Sequence, residues 1–296
     1  MYCKKNILMT GATGFLGSNL LRQLIKKKYG VIILKRSFSN IDRIKDLIKF
    51  VKSFNLDQVS IKDIFKKINI DIILHCATNY GRVDTDPFAV IDANLLLPLK
   101  LLETGKKNNI KYFINTDTIL DKRINYYTLS KSQFKDWLKM YSEGLVCINL
   151  LLEHFYGPFD DKTKFISFIL DKLLTNAAKI DLTEGRQKRD FIYIDDVVDA
   201  FIKVLENLNN LQFGIYNYEI GTNKSLEIRK VVELIKKISG NTITRFNFGI
   251  IPYRKNEIMD SKADTEAIRN LGWKSKYSLI QGLVKTINKE KGLKEA

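Results

Sequence analysis

The feature that most constrains the fold is a turn with three glycines, Gly11, Gly14 and Gly17, each three residues from the next. The apolar run Ile7-Leu8-Met9 precedes the turn, and an amphipathic pattern typical of a helix follows it. Strand, glycine turn and helix in this order let the backbone approach a pyrophosphate, with the phosphates on the N–H groups that open the helix. We therefore predict a bound dinucleotide; the alternative is a glycine-rich turn without a ligand. The expected contacts come from Gly11, Thr13, Gly14, Phe15, Leu16 and Gly17.

Apolar strand patterns alternate with helical patterns through the first half of the chain. Such alternation predicts right-handed crossovers and a parallel sheet covered by helices on both faces. The predicted fold class is therefore α/β, a doubly wound parallel sheet of the Rossmann type with a smaller C-terminal substrate-binding domain. We expect the dinucleotide-binding domain to span 1–157, with the chain returning to it at about 189–222. The smaller domain is expected mainly within 158–296.

Local patterns also predict individual elements. The apolar spacing from Ile41 to Ile48 predicts a helix after the second strand, and 225–239 predicts another in the second half. Pro87 is expected in the first turn of a helix, and Ser278 is expected to cap the last one. Each of these signals is local, so each predicts one element without reference to the rest of the fold.

The net charge of +16, from 49 basic and 33 acidic residues, raises the question of nucleic-acid binding. The lysines are scattered over the solvent faces of predicted helices, and no basic stripe with interleaved aromatic residues occurs. We therefore expect no nucleic-acid partner and an attraction for anionic small molecules instead. No apolar run approaches the roughly 18 residues that cross a membrane, and the N-terminus lacks a secretion-signal pattern. The expected location is the cytoplasm, without a membrane partner.

The three cysteines, Cys3, Cys76 and Cys147, are an odd number without the spacing of a metal site. Cys76 and Cys147 fall in apolar strand patterns, which indicates reduced thiols in or near the core. The only histidines are His75 and His154, so we expect no dense cluster of metal ligands. The composition favours a metal-free mechanism.

The end of the second predicted strand carries Lys35, Arg36 and Ser37. Sites for NAD usually place an acidic side chain there for the ribose 2′-hydroxyl, whereas NADP sites place basic or small polar groups for the 2′-phosphate. Arg36 can pair with that phosphate and stack on the adenine, and Ser37 can donate a hydrogen bond. The sequence thus predicts NADP(H), with a merely solvated Arg36 as the alternative. Asp57, after the third strand, is expected at the adenine edge.

Tyr127 and Lys131 are four residues apart on a predicted helix, so both lie on one face. An ammonium at ~4 Å is expected to lower the pKa of a phenol, ordinarily ~10, by roughly three units. Thr116 and Thr118 follow the fifth strand at its carboxyl end, and either hydroxyl can hold a carbonyl oxygen. We expect Thr116, Tyr127 and Lys131 to be catalytic, with Tyr127 and Lys131 also beside the cofactor. The alternatives are a helix-surface contact and a turn of small polar residues.

Together, the TGxxGxxG turn, the strand end at Thr116 and the YxxxK spacing resemble the extended short-chain dehydrogenase/reductase family, which includes nucleotide-sugar epimerases and dehydratases. The resemblance extends to Tyr156-Gly157-Pro158, to 189–197 and to Leu271-Gly272-Trp273. It implies a nucleotide-diphosphate sugar as substrate and a homodimer formed through two helices. The residues at the diphosphate-binding positions of the family are Lys164, Phe165, Arg189 and Arg254. Without the resemblance, both arginines read equally well as solvated surface charges.

Three further segments, 77–82, 115–131 and 153–158, resemble one group within that family, the CDP-abequose and CDP-paratose synthases. Enzymes of this group reduce the C4 ketone of a CDP-3,6-dideoxyhexulose for O-antigen synthesis. The resemblance implies that Ala77 and Thr78 contact the cofactor. It implies substrate-binding roles for Tyr80, Asp117, Thr118 and His154. His154 is an equally good core histidine.

Departures from the family pattern narrow the expected chemistry. Sugar dehydratases carry Asp-Glu after the catalytic Thr, whereas this chain has Asp117-Thr118, and the interval from Thr116 to Tyr127 is shorter than usual. Epimerases retain NAD and commonly have an acidic residue at the second strand, where this chain has Lys35-Arg36-Ser37. We therefore expect NADPH-dependent reduction of the C4 ketone of a nucleotide-activated deoxysugar. The alternatives are an epimerase with tightly bound NAD and a non-catalytic dinucleotide-sensing protein, a class that often lacks YxxxK.

Overall fold

The computed structural model describes residues 5–82 and 86–292, so Cys3 lies outside the described residues. The chain divides into two compact units. The first lies within Met1–Leu151 and Phe201–Tyr218, and the second within Leu152–Ala200 and Glu219–Ala296. Within the second unit, a strand at 154–156 pairs with one at 191–193. The domain boundary expected at residue 157 stays a prediction.

Strands and helices alternate along the first half of the chain, as predicted. The strands are β1 (Asn6–Thr10), β2 (Gly30–Lys35), β3 (Lys52–Asn55), β4 (Ile72–His75), β5 (Tyr112–Thr118), β6 (Val146–Leu152), β7 (His154–Tyr156), β8 (Lys179–Leu182), β9 (Lys188–Arg189), β10 (Phe191–Tyr193), β11 (Gly214–Ile220), β12 (Leu226–Glu227) and β13 (Arg245–Phe248). The helices are α1 (Phe15–Lys26), α2 (Ile61–Lys67), α3 (Pro87–Ile91), α4 (Leu97–Lys107), α5 (Tyr126–Tyr141), α6 (Phe165–Leu174), α7 (Ile194–Asn207), α8 (Ile228–Ser239), α9 (Glu266–Asn270) and α10 (Leu279–Glu290).

Seven strands form a parallel sheet in the order β11-β6-β5-β4-β1-β2-β3, which confirms the predicted fold class. The strand order reverses beside β1, because the chain runs outward to β2 and β3 and then returns to β4 on the other side. The register places Thr10 opposite Leu34 and His75, and His75 opposite Asn115. The carboxyl ends of β1, β2, β4 and β5 therefore share one edge, where open parallel sheets bind ligands.

A hydrophobic core holds this edge in place from one face of the sheet. Leu8, Phe113 and Cys147 of the strands pack with Leu101 of α4 and Phe134 of α5, and all five are fully buried. Burial of each large apolar side chain contributes about 1.5–3 kcal/mol relative to exposure. Cys147 is thus the buried free thiol that its apolar strand pattern predicted.

The prediction of a helix from Ile41 to Ile48 is wrong. The segment forms two 3₁₀ turns, Asp42–Ile44 and Ile48–Phe50. Its backbone hydrogen bonds join residues three apart, as from Ile44 N to Ile41 O and from Leu47 N to Ile44 O. An apolar spacing of three matches the 3₁₀ period better than the 3.6-residue period of an α-helix, which explains the error.

The other local predictions are confirmed in full or in part. Pro87 stands in the first turn of α3, and Ser278 caps α10 with a capping box, as predicted. The helix expected over 225–239 begins only at Ile228. The residues before it are drawn into β12, which pairs antiparallel with β9. Helix-forming residues in that segment are thus overridden by a tertiary strand pairing.

The described residues of the second unit form three short strand pairs and a helical layer. β7 pairs with β10 and β8 with β13, both parallel, whereas β9 and β12 are antiparallel. Helix α6 packs on α8, and α10 packs on α8 and β10. Within residues 5–82 and 86–292, no helix is long and apolar enough to cross a membrane. The same residues contain no group of three or more His, Cys, Asp or Glu side chains placed to hold a metal ion.

Candidate active site

The glycine turn after β1 has the shape that a pyrophosphate requires. Gly11 has φ +71°, and a Cβ there would lie 2.5 Å from the backbone N of Ala77. A Cβ at Gly17 would overlap the carbonyl oxygen of Gly11. Gly14 is the N-cap of α1 and supplies no side-chain cap to the N–H groups of the first turn. The turn is thus a cradle that any larger residue would fill, and it fits a dinucleotide phosphate on a helix N-terminus.

The remaining residues predicted on the turn surround it in different ways. Phe15 and Leu16 are buried in the first turn of α1, and Thr13 is half-buried. The N–H of Ala77 donates to Thr10 Oγ1 at 3.1 Å, which fixes the start of the loop after β4 against the glycine turn. The half-buried Thr78 follows in that loop. The structure therefore brings the cofactor-binding residues predicted after β1 and β4 together.

The residues predicted to bind the 2′-phosphate at the end of β2 are partly engaged within the chain. Lys35 Nζ donates to Asn55 Oδ1 at 2.7 Å. The backbone N–H of Ser37 donates to Asp57 Oδ1 at 2.8 Å, and the Ser37 hydroxyl donates to Asp57 Oδ2. Arg36 is exposed, with its guanidinium 5.7 Å from the ring centroid of Phe38.

Tyr127 lies in the first turn of α5, directly beside the end of β5. Asn125 is the N-cap of this helix and closes a capping box with Thr128, which fixes where the helix begins. The side chain of Thr118 forms a hydrogen bond with Tyr127, and the ring centroid of Tyr80 is 5.2 Å from that of Tyr127. Thr118 and Tyr80, which were predicted in separate segments, thus both contact the side chain of Tyr127.

One turn further along α5, Lys131 is only 1% exposed. Its ammonium donates to the backbone carbonyl oxygen of Thr116 at 2.8 Å. The hydroxyl of Thr116 donates to Cys76 Sγ at 3.3 Å. Of the two threonine side chains at the strand end, that of Thr118 therefore contacts Tyr127. The catalytic assignment of Thr116 stays a prediction.

The expected lowering of the Tyr127 pKa by Lys131 is wrong for this structure. Burial raises the pKa of Tyr127 above its ordinary value, and the nearby Tyr80 and Asp117 add to that effect. The hydrogen bond from Thr118 acts in the opposite direction but is outweighed. Burial also lowers the pKa of Lys131, to about 8, although Asp117 and Cys76 favour its charged form. Desolvation thus dominates at both groups, which leaves the phenol firmly protonated.

A buried polar network lies beneath the strand end. Asp117 is 5% exposed, and its Oδ2 accepts from Asn149 Nδ2 at 2.7 Å. Its Oδ1 accepts from the backbone N–H of Thr118 at 2.8 Å. Asn149 Oδ1 accepts in turn from Asn115 Nδ2 at 2.7 Å. Burial raises the pKa of Asp117, with Asn149 and Lys131 favouring the ionised form. Both carboxylate oxygens of Asp117 thus accept hydrogen bonds from neighbouring residues, and one of these bonds fixes the backbone at Thr118. Contact between Asp117 and the substrate stays a prediction.

Sequence reasoning missed a second buried amide, Asn94, in the π-helical turn Asp92–Leu96 between α3 and α4. Its side chain accepts from Asn79 N and donates to Asn79 O, both at 2.8 Å, and also donates to Ser130 Oγ at 3.0 Å. Asn94 thereby ties the loop after β4 to the helix that carries Tyr127. The available signal was an amide directly before an apolar run in a segment with helical spacing.

In the second unit, His154 is oriented by a carboxylate that the sequence did not indicate. His154 Nδ1 lies 2.8 Å from Oε2 of the buried Glu153, whose Oε1 accepts from Ser261 Oγ at 2.6 Å. The His154 ring meets Phe191 edge-on at 5.8 Å, and Phe165 stacks on Phe191 at 6.2 Å. Two of the predicted substrate residues, His154 and Phe165, therefore belong to one cluster.

Lys164 lies next to this cluster in sequence, as the N-cap residue of α6. Its ammonium is 3.1 Å from a carboxylate oxygen of Asp160 and 4.0 Å from the ring centroid of Phe155. A cation at a helix N-terminus opposes the helix dipole, and the Asp160 carboxylate offsets that repulsion.

Arg189 is nearly buried and is already paired within the second unit. Its guanidinium forms an ion pair with Glu257 and donates to the carbonyl oxygens of Lys188 and Ile258. Burial lowers the pKa of Arg189, and the neighbouring charge of Arg254 lowers it further, against the attraction of Glu257. The structure thus pairs Arg189 with the Glu257 carboxylate and places the charge of Arg254 close enough to act on Arg189. The sequence had not identified Glu257.

Comparison with known families decides the membership of this chain. The sequence profile of the NAD dependent epimerase/dehydratase family matches residues 7–221, which include the glycine turn, the strand end at Thr116 and the Tyr127–Lys131 pair. The chain belongs to the NAD dependent epimerase/dehydratase family. The chain is an enzyme of this family, and the resemblance to extended short-chain dehydrogenases/reductases is confirmed.

Curated relatives in the epimerase/dehydratase family match nearly the whole chain. CDP-abequose synthase from Salmonella muenchen is 40% identical over 293 residues, which cover 96% of this chain and 97% of that protein. A putative UDP-glucose 4-epimerase from Methanocaldococcus jannaschii is 28% identical, with 95% and 97% covered. The matches extend through both units.

Solved structures of the epimerase/dehydratase family share the fold. The UDP-glucose 4-epimerase of Thermotoga maritima, with UDP-glucose, has a TM-score of 0.85 at 24% identity, covering 97% of this chain and 99% of that one. The UDP-glucose 4-epimerase of Thermus thermophilus, in complex with NAD, has a TM-score of 0.81 at 20% identity, with 97% and 99% covered. At these identities the likeness establishes the architecture.

Proposed function

We propose that this protein reduces the C4 ketone of a nucleotide-activated deoxysugar with NADPH, with a CDP-4-keto-3,6-dideoxyhexose as the favoured substrate, in surface polysaccharide synthesis such as that of O-antigen. The observation that carries the proposal is the contact between Thr118 and Tyr127. Thr118 stands where the dehydratases of the family carry a glutamate for proton abstraction. A hydroxyl cannot act as such a base at neutral pH, so elimination is disfavoured. Arg36 at the end of β2 disfavours an epimerase with retained NAD, which leaves net reduction as the favoured reaction. The similarity to CDP-abequose synthase supports the choice of substrate.

The dinucleotide, when bound, supplies the hydride. Tyr127 donates the proton to the oxygen of the reduced ketone. The burial that raises its pKa suits a proton donor, since the phenol is fully protonated at neutral pH before the reaction. Thr116 orients the ketone oxygen, for which its hydroxyl must turn away from Cys76. Lys131 fixes the strand end through the Thr116 carbonyl and, while charged, stabilises the phenolate that Tyr127 becomes.

The second unit supplies cations for the diphosphate of the substrate. We assign this role to Arg189 and Arg254, with Lys164 at the start of α6. Binding requires Arg189 to exchange Glu257 for a phosphate, which presents more acceptor oxygens and more negative charge to the same guanidinium. The net charge of +16 attracts such anions over a longer range.

NADPH is proposed over NADH on account of Arg36, whose exposed guanidinium follows β2 at the ligand-binding edge. A second candidate function, an epimerase with retained NAD, is favoured by one observation: a carboxylate, that of Asp57 after the adjacent strand β3, lies beside Ser37. Purified epimerase would carry stoichiometric NAD, whereas a reductase exchanges its cofactor with solution. Absorbance and mass spectrometry of the denatured supernatant distinguish the two.

We further propose a homodimer formed through α5. This helix exposes an apolar face that includes Trp137, 44% exposed, and Met140, 74% exposed, with Tyr126 and Leu129 on the same side. Exposed apolar side chains clustered on one side of a helix, here around the polar Gln133, mark an interaction surface. A cytoplasmic location agrees with a soluble nucleotide-sugar substrate and stays a prediction.

The proposed activity is tested by NADPH oxidation with CDP-, dTDP-, GDP- and UDP-linked 4-keto-6-deoxysugars, with the CDP-linked 3,6-dideoxy compound included. Oxidation with the CDP-linked ketone, at a kcat/KM at least tenfold above the others, is expected. NADPH oxidation with a ketone that is linked to a different nucleotide would support the reductase activity and change the proposed substrate. An absence of NADPH oxidation with every ketone would overturn the proposal.

A further inference from the structure

A serine and a carboxylate from neighbouring strands meet at the edge of the sheet that binds dinucleotides. In the register of the sheet, Lys35 at the end of β2 lies opposite Asn55 at the end of β3. Ser37 and Asp57 each follow two residues later, so they come into contact. Asp57 accepts hydrogen bonds from both the backbone N–H and the hydroxyl of Ser37. Both side chains are exposed to solvent.

The two donors of Ser37 are the groups that a 2′-phosphate at this strand end would use. A phosphate and a carboxylate are both anions that only accept hydrogen bonds at neutral pH. They therefore compete for the same N–H and O–H, and they repel each other when both are close. The hydrogen bonds from Ser37 lower the pKa of Asp57, so protonation does not remove this competition at neutral pH.

A ribose 2′-hydroxyl has the opposite chemistry, because it can donate a hydrogen bond. It can approach Asp57 while Ser37 remains in place, since an ionised carboxylate has about four acceptor sites. Asp57 thus offers to NADH what an acidic residue at the end of β2 offers in NAD-preferring sites, but from the adjacent strand. Arg36, next to Ser37 in sequence, favours NADPH.

We propose that Asp57 is a specificity-determining residue that reduces the preference for NADPH over NADH by holding Ser37 and opposing the 2′-phosphate. The inference rests on the proposed function only in that the chain binds a nicotinamide dinucleotide at the glycine turn. It predicts a protein that discriminates only modestly between the two cofactors, and an NADPH preference that rises when the carboxylate is removed.

The test measures binding in the absence of sugar, so that it is independent of reductase activity. The affinities of adenosine 2′,5′-bisphosphate and 5′-AMP are measured by calorimetry, and those of NADPH and NADH by fluorescence, for the full chain and its variants. Asp57→Asn removes the charge, and Asp57→Ala also removes the acceptor that holds Ser37. Loss of one charged contact predicts a rise of about tenfold in the preference for the 2′-phosphorylated ligand.

A matched control is Asp63→Asn, because Asp63 also accepts a hydrogen bond from a nearby serine, Ser60, at 2.7 Å on the exposed α2. This variant is expected to leave the preference within twofold. The proposal is overturned if both Asp57 variants leave the preference within twofold, or if Asp63→Asn raises it equally. Arg36→Ala separates the two proposals: an unchanged preference in Arg36→Ala removes the argument for NADPH, whatever the Asp57 variants do.

Discussion

The ammonium of Lys131 donates a 2.8 Å hydrogen bond to the backbone carbonyl oxygen of Thr116. This bond joins α5, which carries Tyr127, to the end of β5, which carries both candidate threonines. It also takes Lys131 almost completely out of water, and burial lowers its pKa to about 8. Lys131, which the sequence pattern identifies as a modulator of Tyr127, thus also connects α5 to β5. This contact and the lowered pKa affect both the stability of the protein and its pH dependence.

The lowered pKa of Lys131 predicts a stability that rises with pH. Between pH 8 and its ordinary value of 10.5, the unfolded chain binds a proton on this lysine that the folded chain does not. Raising the pH through this window therefore favours the folded state, by up to about 3 kcal/mol. In Lys131→Met that contribution disappears. Urea unfolding at pH 7 to 10 measures the free energy of unfolding of both proteins. That of the unmodified protein is expected to rise with pH relative to that of Lys131→Met. A difference that stays constant over this range would contradict the lowered pKa of Lys131.

The close approach of Gly17 to Gly11 predicts a position-specific cost of adding a methyl group. In Gly17→Ala the new Cβ meets the Gly11 carbonyl, so the backbone must shift, and we expect a loss of about 1–3 kcal/mol in the free energy of unfolding with weakened dinucleotide binding. Gly144→Ala is the control, because no heavy atom lies within 4 Å of a Cβ there. It is expected to change stability by less than about 1 kcal/mol. Similar melting and NADPH binding in both variants would refute the packing argument.

The buried amide Asn149 predicts a stability loss that depends on pH. Asn149→Leu leaves Asp117 Oδ2 and Asn115 Nδ2 without their partner, at a cost of about 3 kcal/mol at pH 7. The pKa of Asp117, already raised by burial, rises further, so the deficit shrinks as the pH falls and the carboxyl is protonated. Gln58→Leu, at an exposed amide, serves as the control. A deficit that does not change between pH 7 and pH 5 would argue against an ionised Asp117.

The apolar face of α5 predicts the oligomeric state. The protein is expected to elute as a dimer in size-exclusion chromatography with light scattering, and Trp137→Glu with Met140→Glu is expected to yield monomers of unchanged secondary structure. Phe213→Glu, which changes an aromatic residue that is 66% exposed, should leave the dimer intact. Monomers of the unmodified protein at micromolar concentration would rule out this interface.

Much of the fold could be predicted because its signals are local. The glycine turn, the apolar strand runs and the caps at Pro87 and Ser278 each specify one element by their own sequence. The failure at Ile41 arose from a spacing of three that suits a 3₁₀ turn as well as a helix. The helix start at Ile228 was missed since a distant strand, β9, captures the residues before it.

The candidate site was only partly predictable, because its supporting contacts join residues far apart in sequence. Asn149 meets Asp117 across the sheet, and Glu257 meets Arg189 within the second unit. Neither pairing has a motif. The pKa of Tyr127 was predicted in the wrong direction because burial, the largest influence on it, depends on the tertiary packing around α5.

The central claim is net reduction at the sugar C4 with Tyr127 as proton donor. The most direct measurement follows NADPH carrying deuterium at both C4 positions, incubated with the CDP-linked 4-keto-3,6-dideoxyhexose, and locates the label in the product by mass spectrometry and NMR. We predict one deuterium at the sugar C4 for each NADPH consumed, and a rate at least about 10²-fold lower in Tyr127→Phe with NADPH affinity unchanged. A product without deuterium, formed without consumption of NADPH, would contradict the account, as would full activity of Tyr127→Phe.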